Sequence, residues 1–236
     1  MPMTQEQINQ LYSFTRAHFV EHYDVQTELV DHLANGIERL LKEDSSLSFN
    51  EALQTEFKKF GVCGFHDIVQ EKKKAIAKRY RGMVWRFFIQ WFQWPKLVLT
   101  LALFGGIELT MTTLNQSQFK PMLFFGLLLA FTLLPLGYLI VNRKNRELDQ
   151  VRGGKKWMLS ELIYNLGDML QVPNLLFNLG ALGYNTELFS IHANHFNLVF
   201  AALITLAGIL NYVLLVVIPS KAETLLSDTY PEYQMQ

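Results

Sequence analysis

The 236-residue chain balances 21 basic against 21 acidic side chains, and half of its residues are hydrophobic. The formal charge is zero, but its position matters more than its sum: the basic block at 72–96 adjoins the first apolar run, which accounts for it without nucleic acid as a partner. The single cysteine, Cys63, excludes a disulfide within the chain. The averages hide two regions: the first 94 residues contain no apolar run long enough to cross a bilayer, whereas the rest contains several.

Thr4-Gln5-Glu6-Gln7 is a capping-box pattern, in which Thr4 accepts from the backbone N–H of Gln7 and opens a helix. Ile8, Leu11, Phe14 and Phe19, with Tyr12 nearby, then recur at near-helical spacing. A second helix is predicted from Asp24, whose carboxylate can cap free N–H groups, with Val25, Leu29, Leu33, Ile37, Leu40 and Leu41 as its apolar face. Ser48-Phe49-Asn50-Glu51 opens a third, with Phe49, Leu53, Phe57 and Phe60 inward, and Gly61 suits the left-handed position that ends it. A fourth helix begins near His66 or Asp67. Residues 1–70 therefore read as a small helical domain, and an acidic one, with 11 acidic side chains against five basic. Met1 to Gln10 is polar and no apolar core follows it, so no cleavable signal peptide is expected and the domain should stay in the cytosol.

The charge then reverses. Lys72, Lys73, Lys74, Lys78, Arg79, Arg81, Arg86 and Lys96 follow one another with no acidic residue between them. Trp85, Trp91 and Trp94 fall in the same stretch, and aromatic rings with a polar edge favour the headgroup boundary. Residues 71–94 are thus predicted to form a juxtamembrane helix whose basic residues and tryptophans meet lipid headgroups.

Pro95 to Leu114, with only Lys96 and Glu108 charged, and Pro121 to Val141, with no charge, each match the roughly 20 apolar residues a bilayer crossing needs. Leu159 to Gly183 is less uniform, carrying Glu161, Asp168, Asn174, Asn178 and Pro173. It reads as an amphipathic interfacial helix followed by a short span near Met169 to Tyr184, or as an interfacial segment alone. Phe196 to Ile218 is a further uncharged span, ended by Pro219. Asn142 to Lys156 carries six basic residues, whereas Asn115 to Lys120 has only Lys120 and Tyr184 to His195 has none. Four spans with both termini cytosolic satisfy that pattern. With an interfacial third segment, the C-terminus would lie outside. The expected architecture is all-α, with a 1–70 domain, a 71–94 connecting helix, a four-span module over 95–219 and a polar tail over 220–236. The expected location is a bacterial inner (cytoplasmic) membrane.

Tyr23-Asp24-Val25-Gln26-Thr27-Glu28-Leu29-Val30-Asp31-His32-Leu33, Ile37-Glu38, Ser48-Phe49-Asn50-Glu51-Ala52-Leu53 and Lys59-Phe60-Gly61 together resemble the small bacterial helical modules called HAAS or permease-prefix domains. The likeness covers about residues 10 to 75. It departs after Phe60-Gly61, where the family has Asp-Pro and this chain has Val62-Cys63-Gly64-Phe65. The resemblance implies a regulatory or protein-interacting module ahead of membrane segments, and it implies no active site.

Among candidate polar groups, His18 and His22 are spaced i, i+4 and would share a helical face, near Asp31 and His32. Without an HExxH motif or a cysteine pair, a polar surface is preferred there over a zinc site. Glu28 and His32 are also four apart and can pair across one turn. His192 and His195, with Glu187, read as a hydrated outer loop, with metal binding or pH sensing as the alternative. Glu108 and Asp168 stand out among ionisable residues of the spans, where such groups mark ion paths or polar helix contacts. The alternatives are that Glu108, toward the outer end of its span, reaches water and that Asp168 sits on the interfacial helix. Asn174, Asn178 and Asn211 can hydrogen-bond between helices, and Gly105-Gly106 and Gly180 to Gly183 allow the close contact of an assembly such as a homo-oligomer. No Gly-rich phosphate loop, Gly-x-Ser-x-Gly elbow or paired-cysteine motif is present. The chain is therefore read as non-enzymatic, with no catalytic residue, cofactor or metal assigned. Two functions are expected from different classes: a membrane-anchored regulatory adaptor binding a protein partner through residues 1–70, or a transporter subunit acting as an oligomer.

Overall fold

The structure, a computed structural model, describes residues 3–113, 119–141, 151–152, 155–165, 169, 171–175, 178 and 193–235. The described residues are helical almost throughout, in keeping with the all-α expectation. The exception is a short antiparallel ladder in which β1 (Val151–Arg152) pairs with β2 (Lys155–Lys156).

The first helices form where their caps require. α1 (Gln5–Ala17) opens on a complete capping box between Thr4 and Gln7, and α3 (Phe49–Lys58) opens on another between Ser48 and Glu51. Both boxes satisfy backbone N–H groups that the first helical turn leaves without partners. α2 (Tyr23–Glu43) buries Val25, Leu29, Val30, Leu33 and Ile37 against Leu11 of α1 and Ala52 and Leu53 of α3. Each fully buried side chain of this kind contributes about 1.5–3 kcal/mol by leaving water. Gly61 does take the left-handed conformation, at φ 75°, and the chain turns there toward α4 (His66–Gln90).

Local details differ from the sequence expectation. Phe19 does not join the apolar stripe of α1, because the helix ends at Ala17 and Phe19 follows at φ 64° with its ring 91% exposed. Nor do His18 and His22 share a helical face. His18 lies in the turn, its Nδ1 2.8 Å from the Phe14 carbonyl, and His22 is the N-cap residue of α2. Phe65, buried at 2% exposure, completes the core in the region where the sequence departs from the HAAS pattern. The second helix begins one residue before Asp24, and its N-cap makes no side-chain cap bond.

The chain divides into two compact units. The first comprises residues 1–79, 148–161 and 227–236, so the connection after the second long apolar helix and the C-terminal segment are integral to the helical domain. That connection leads from β2 into α7 (Met158–Tyr164), whose first turn carries the buried Met158, Leu159 and Ser160. An amphipathic helix lying on lipid was expected here; its leading turn instead enters the core of the first unit, where Met158 packs with the α1–α3 cluster. The tail, read as merely polar, folds as α9 (Ala222–Thr229) and a 3₁₀ turn, Pro231–Met235.

The second unit comprises residues 80–147 and 162–226. It contains α5 (Lys96–Thr113), α6 (Phe119–Val141, with Pro135 inside) and α8 (Ala193–Tyr212), and α8 packs along α5. Beyond Tyr212 the helix widens into a π turn, Val213–Val217, with the Ile218 N–H bonded to the Val213 carbonyl. The widening directly precedes Pro219, which has no N–H and whose ring crowds the carbonyl four residues back. Among the described residues, two helices are long and apolar enough to cross a membrane, Lys96–Thr113 and Asn197–Ser220. The first is not the core helix of a soluble domain, since Val98, Leu99, Leu101, Leu103 and Leu109 are all exposed.

Candidate functional site

Three distant segments meet at the start of α2. Asp24 was expected to cap its own helix; instead its carboxylate serves α7. The Met158 N–H, an end-of-helix donor with no intrahelical partner, donates to Asp24 Oδ1 at 3.3 Å. The Tyr230 hydroxyl donates to Asp24 Oδ2 at 2.8 Å. Burial, followed by the neighbouring Asp24 charge, pushes the Tyr230 phenol far above its ordinary value, so it stays a neutral donor.

Trp157 fills the centre of this junction at 1% exposure. Its ring centroid lies 5.3 Å from Tyr23, 4.7 Å from Tyr230 and 5.6 Å from Tyr233. Aromatic contacts in this range add about 0.5–1.5 kcal/mol each beyond area burial. A charged cluster lies alongside. Glu161 Oε2 is 2.8 Å from His22 Nε2 and 2.9 Å from Lys156 Nζ, and Lys156 also reaches Glu21 at 3.0 Å. The hydrogen bond with His22 holds the Glu161 carboxyl down at about 2; burial opposes this and Lys156 reinforces it. Burial works against the Lys156 charge, but its bonds to Glu161 and Glu21 outweigh that and raise it.

Clefts open on the first unit at three places: one of about 320 Å³ runs along the junction, among Asp24, Glu28, Lys72, Trp157 and Tyr230, and two lie elsewhere. One, about 350 Å³, is lined by His18, Phe57, Phe65 and Val69 with Phe19 and Val62 at it. Phe57 and Phe65 stand 5.0 Å apart edge to face, while Phe19 and Val62 are the most exposed large apolar side chains among the described residues. The other, about 510 Å³, is polar and lies between α1, the start of α2 and β2, among Tyr12, Arg16, Tyr23, Lys155 and Lys156. Lys155 Nζ sits 3.9 Å over the Tyr23 ring, and Tyr12 stacks parallel to Tyr23 at 5.9 Å.

Among the described residues, those singled out from sequence form no single cluster, although Lys96 Nζ lies 4.9 Å over the Trp91 ring. Glu28 pairs with Lys72 rather than with His32, whose ring meets Phe60 at 5.4 Å. Lys73, Lys74, Lys78, Arg79, Arg81 and Arg86 are exposed along α4. Trp85 is exposed and stacks on Phe88 at 5.5 Å, and Trp94 is exposed beside Pro95. Trp91 donates to Thr100 Oγ1 at 3.2 Å and lies 4.9 Å from the Tyr212 ring. Glu108 accepts from the Thr112 hydroxyl one turn on, at 2.9 Å. Asp168, Glu187 and His192 lie outside the described residues. The junction residues Asp24, Trp157, Tyr230 and Tyr233 escaped the sequence reading as a site, because no local pattern joins residues 134 and 206 positions apart. No family model, curated protein or solved structure matches this chain.

Proposed function

We propose that the chain is a membrane-anchored regulatory adaptor of the bacterial inner membrane, whose cytosolic helical unit captures a protein partner. The observation that carries this reading is the pair Phe19 and Val62, 91% and fully exposed at the aromatic cleft. Exposed large apolar side chains beside an apolar cleft suit the docking of an apolar side chain, and Phe19 is in addition held in a left-handed conformation that non-glycine residues seldom adopt. The occupant is a basic amphipathic segment of a cytosolic protein. Its apolar side chain lies in the cleft against Phe57, flanked by Phe19 and Val62, and its charge complements the excess of acidic residues over 1–70. The likeness of residues 10–75 to HAAS domains supports the same reading.

The first unit also supports a four-span topology. A folded unit cannot be divided by a bilayer, so residues 1–79, 148–161 and 227–236 share one side. α5 and α6 lie between the first and second of these stretches and make an even number of crossings. If Asn197–Ser220 makes one crossing between the second and third, an even total needs one more within residues 162–192, which is the third span of the four-span reading. The basic residues of the second stretch assign the shared side to the cytosol.

The adaptor reading is tested by affinity purification from crosslinked native membranes, comparing the unaltered protein with a Phe19→Ser/Val62→Ser double variant. Point variants replace a 1–70 deletion, which would strip the cover from Trp157, Tyr230 and Tyr233. A partner recovered with the unaltered protein, lost from the double variant and crosslinked through a basic segment supports the proposal. The same eluate from both proteins, or self-oligomers alone, ends it and directs attention to transport through Glu108 and Asp168.

A further inference from the structure

We propose that the polar cleft between α1, the start of α2 and β2 is a binding site for a phosphate-bearing anion. This is separate from the adaptor reading, since the cleft shares no lining residue with the aromatic one.

The argument begins with charge. The 1–70 segment is acidic overall, yet this cleft of about 510 Å³ gathers Arg16, Lys155 and Lys156 against a single carboxylate, Glu21. Glu21 is already engaged by Lys156, which also holds Glu161. Among the described residues neither Arg16 nor Lys155 has a carboxylate partner: Arg16 Nη2 donates to the Ser13 hydroxyl at 3.2 Å, and Lys155 lies over the Tyr23 ring. The two cations come from segments 139 positions apart, so tertiary folding and not a local charge run brings them together. Two unneutralised cations at one concavity repel each other, and a bound anion turns that cost into attraction.

The remaining lining suits oxygens of a phosphate. Asn9 accepts from the Gln5 side chain at 3.3 Å, which leaves its own amide N–H groups without a partner among the described residues. Burial pushes the Tyr23 phenol up, but hydrogen bonds from Lys155, Tyr12 and Thr27 outweigh it and hold it below its ordinary value, a mark of the cationic field in the cleft. A guanidinium fork, an ammonium and neutral donors form the set that recognises phosphate oxygens. A free phosphorylated solute and a phospholipid headgroup present the same chemistry, and the experiment separates them.

The full-length protein is placed in phosphatidylcholine nanodiscs and titrated calorimetrically with sodium pyrophosphate at constant ionic strength. In a second arm its thermal midpoint is compared between phosphatidylcholine and phosphatidylglycerol nanodiscs. Arg16→Gln and Lys155→Gln are run beside Lys58→Gln, an exposed charge outside the cleft, with circular dichroism confirming that all fold. Saturable pyrophosphate binding, weakened about tenfold or more by Arg16→Gln and by Lys155→Gln and unchanged by Lys58→Gln, supports the site and assigns a soluble ligand. No pyrophosphate binding, but a phosphatidylglycerol stabilisation lost in the same two variants, supports the site and assigns a lipid headgroup. Responses indistinguishable between the unaltered protein and the two cleft variants, or no response in either arm, overturn the proposal.

Discussion

The hydroxyl of Tyr230 donates to Oδ2 of Asp24 at 2.8 Å across 206 positions of sequence. Asp24 Oδ1 meanwhile takes the backbone N–H that opens α7, so one carboxylate binds three chain segments into one unit. Its position in the first turn of α2 adds a favourable charge at that helix's N-terminus.

Removing that hydroxyl leaves a charge-assisted hydrogen bond unmade in a largely buried place. Tyr230→Phe should cost about 1–3 kcal/mol, and Asp24→Ala more, since it strands two donors. Urea unfolding in detergent micelles, followed by tryptophan fluorescence, gives the comparison. Equal midpoints for Tyr230→Phe and the unaltered protein would show that the bond contributes nothing.

Trp157 offers a larger effect. Its truncation to alanine empties the space between three tyrosine rings, and a buried tryptophan lost this way costs about 3–5 kcal/mol. Limited proteolysis should then cut the segment after Thr229 in the variant, at protease levels that leave the unaltered protein intact.

Glu161 makes the unit sensitive to acid. Its carboxyl sits at about 2, against an ordinary 4.5, chiefly through the bond with His22. A carboxyl lowered by folding contributes stability that is fully present above the unfolded value and lost as pH falls toward the folded one. The advantage of the unaltered protein over Glu161→Gln should therefore be intact near neutrality and fade between about pH 5 and pH 2. Solvent screening of this partly exposed cluster limits it to roughly 1–2 kcal/mol. An advantage that does not change with pH would remove Glu161 from the account.

Gly36 and Glu56 form a tight pair in the domain core. A Cβ at position 36 would meet the Glu56 Cδ at 2.2 Å, and Glu56 is only 2% exposed and held by Lys59. Gly36→Ala should destabilise by about 1–3 kcal/mol through overpacking. Adding Glu56→Ala should recover part of the loss, and a double-mutant cycle measures the coupling. Simple additivity of the two changes would refute the contact.

Topology is open to cysteine labelling in a Cys63→Ser background. On the four-span proposal, Thr186→Cys reacts with an impermeant maleimide in intact spheroplasts, whereas Ser45→Cys and Asp228→Cys react only after permeabilisation. Labelling of Asp228→Cys from outside would rule out an even number of crossings.

Patterns confined to one helix were legible in the sequence. The two capping boxes, the Val25, Leu29, Leu33 and Ile37 stripe and the Gly61 turn each depend on residues within a few positions of one another. Long apolar runs were equally plain, and Lys96–Thr113 and Asn197–Ser220 match them. Asp24 misled because its position at a helix start fits two uses, and packing against Met158 and Tyr230 decided which. Lys155 and Lys156 read as generic topology signals, since nothing nearby announces Tyr23, Glu21 or Glu161 as their partners. The tail looked inert because Tyr230 and Tyr233 stand among polar residues and reveal their burial only against Trp157.

The placement of Tyr230 also dictates an order of events. Residues 1–79 are synthesised before Lys96–Thr113 and Asn197–Ser220, but the hydroxyl that completes the Asp24 carboxylate is synthesised after both. On the four-span proposal the helical unit waits, incomplete, while the intervening segments are inserted, and closes only when the last of them reaches the same side. On the same proposal, a misplaced span would strand Tyr230 across the bilayer from Asp24 and leave Trp157 uncovered, an error open to proteases on the side that holds residues 1–79.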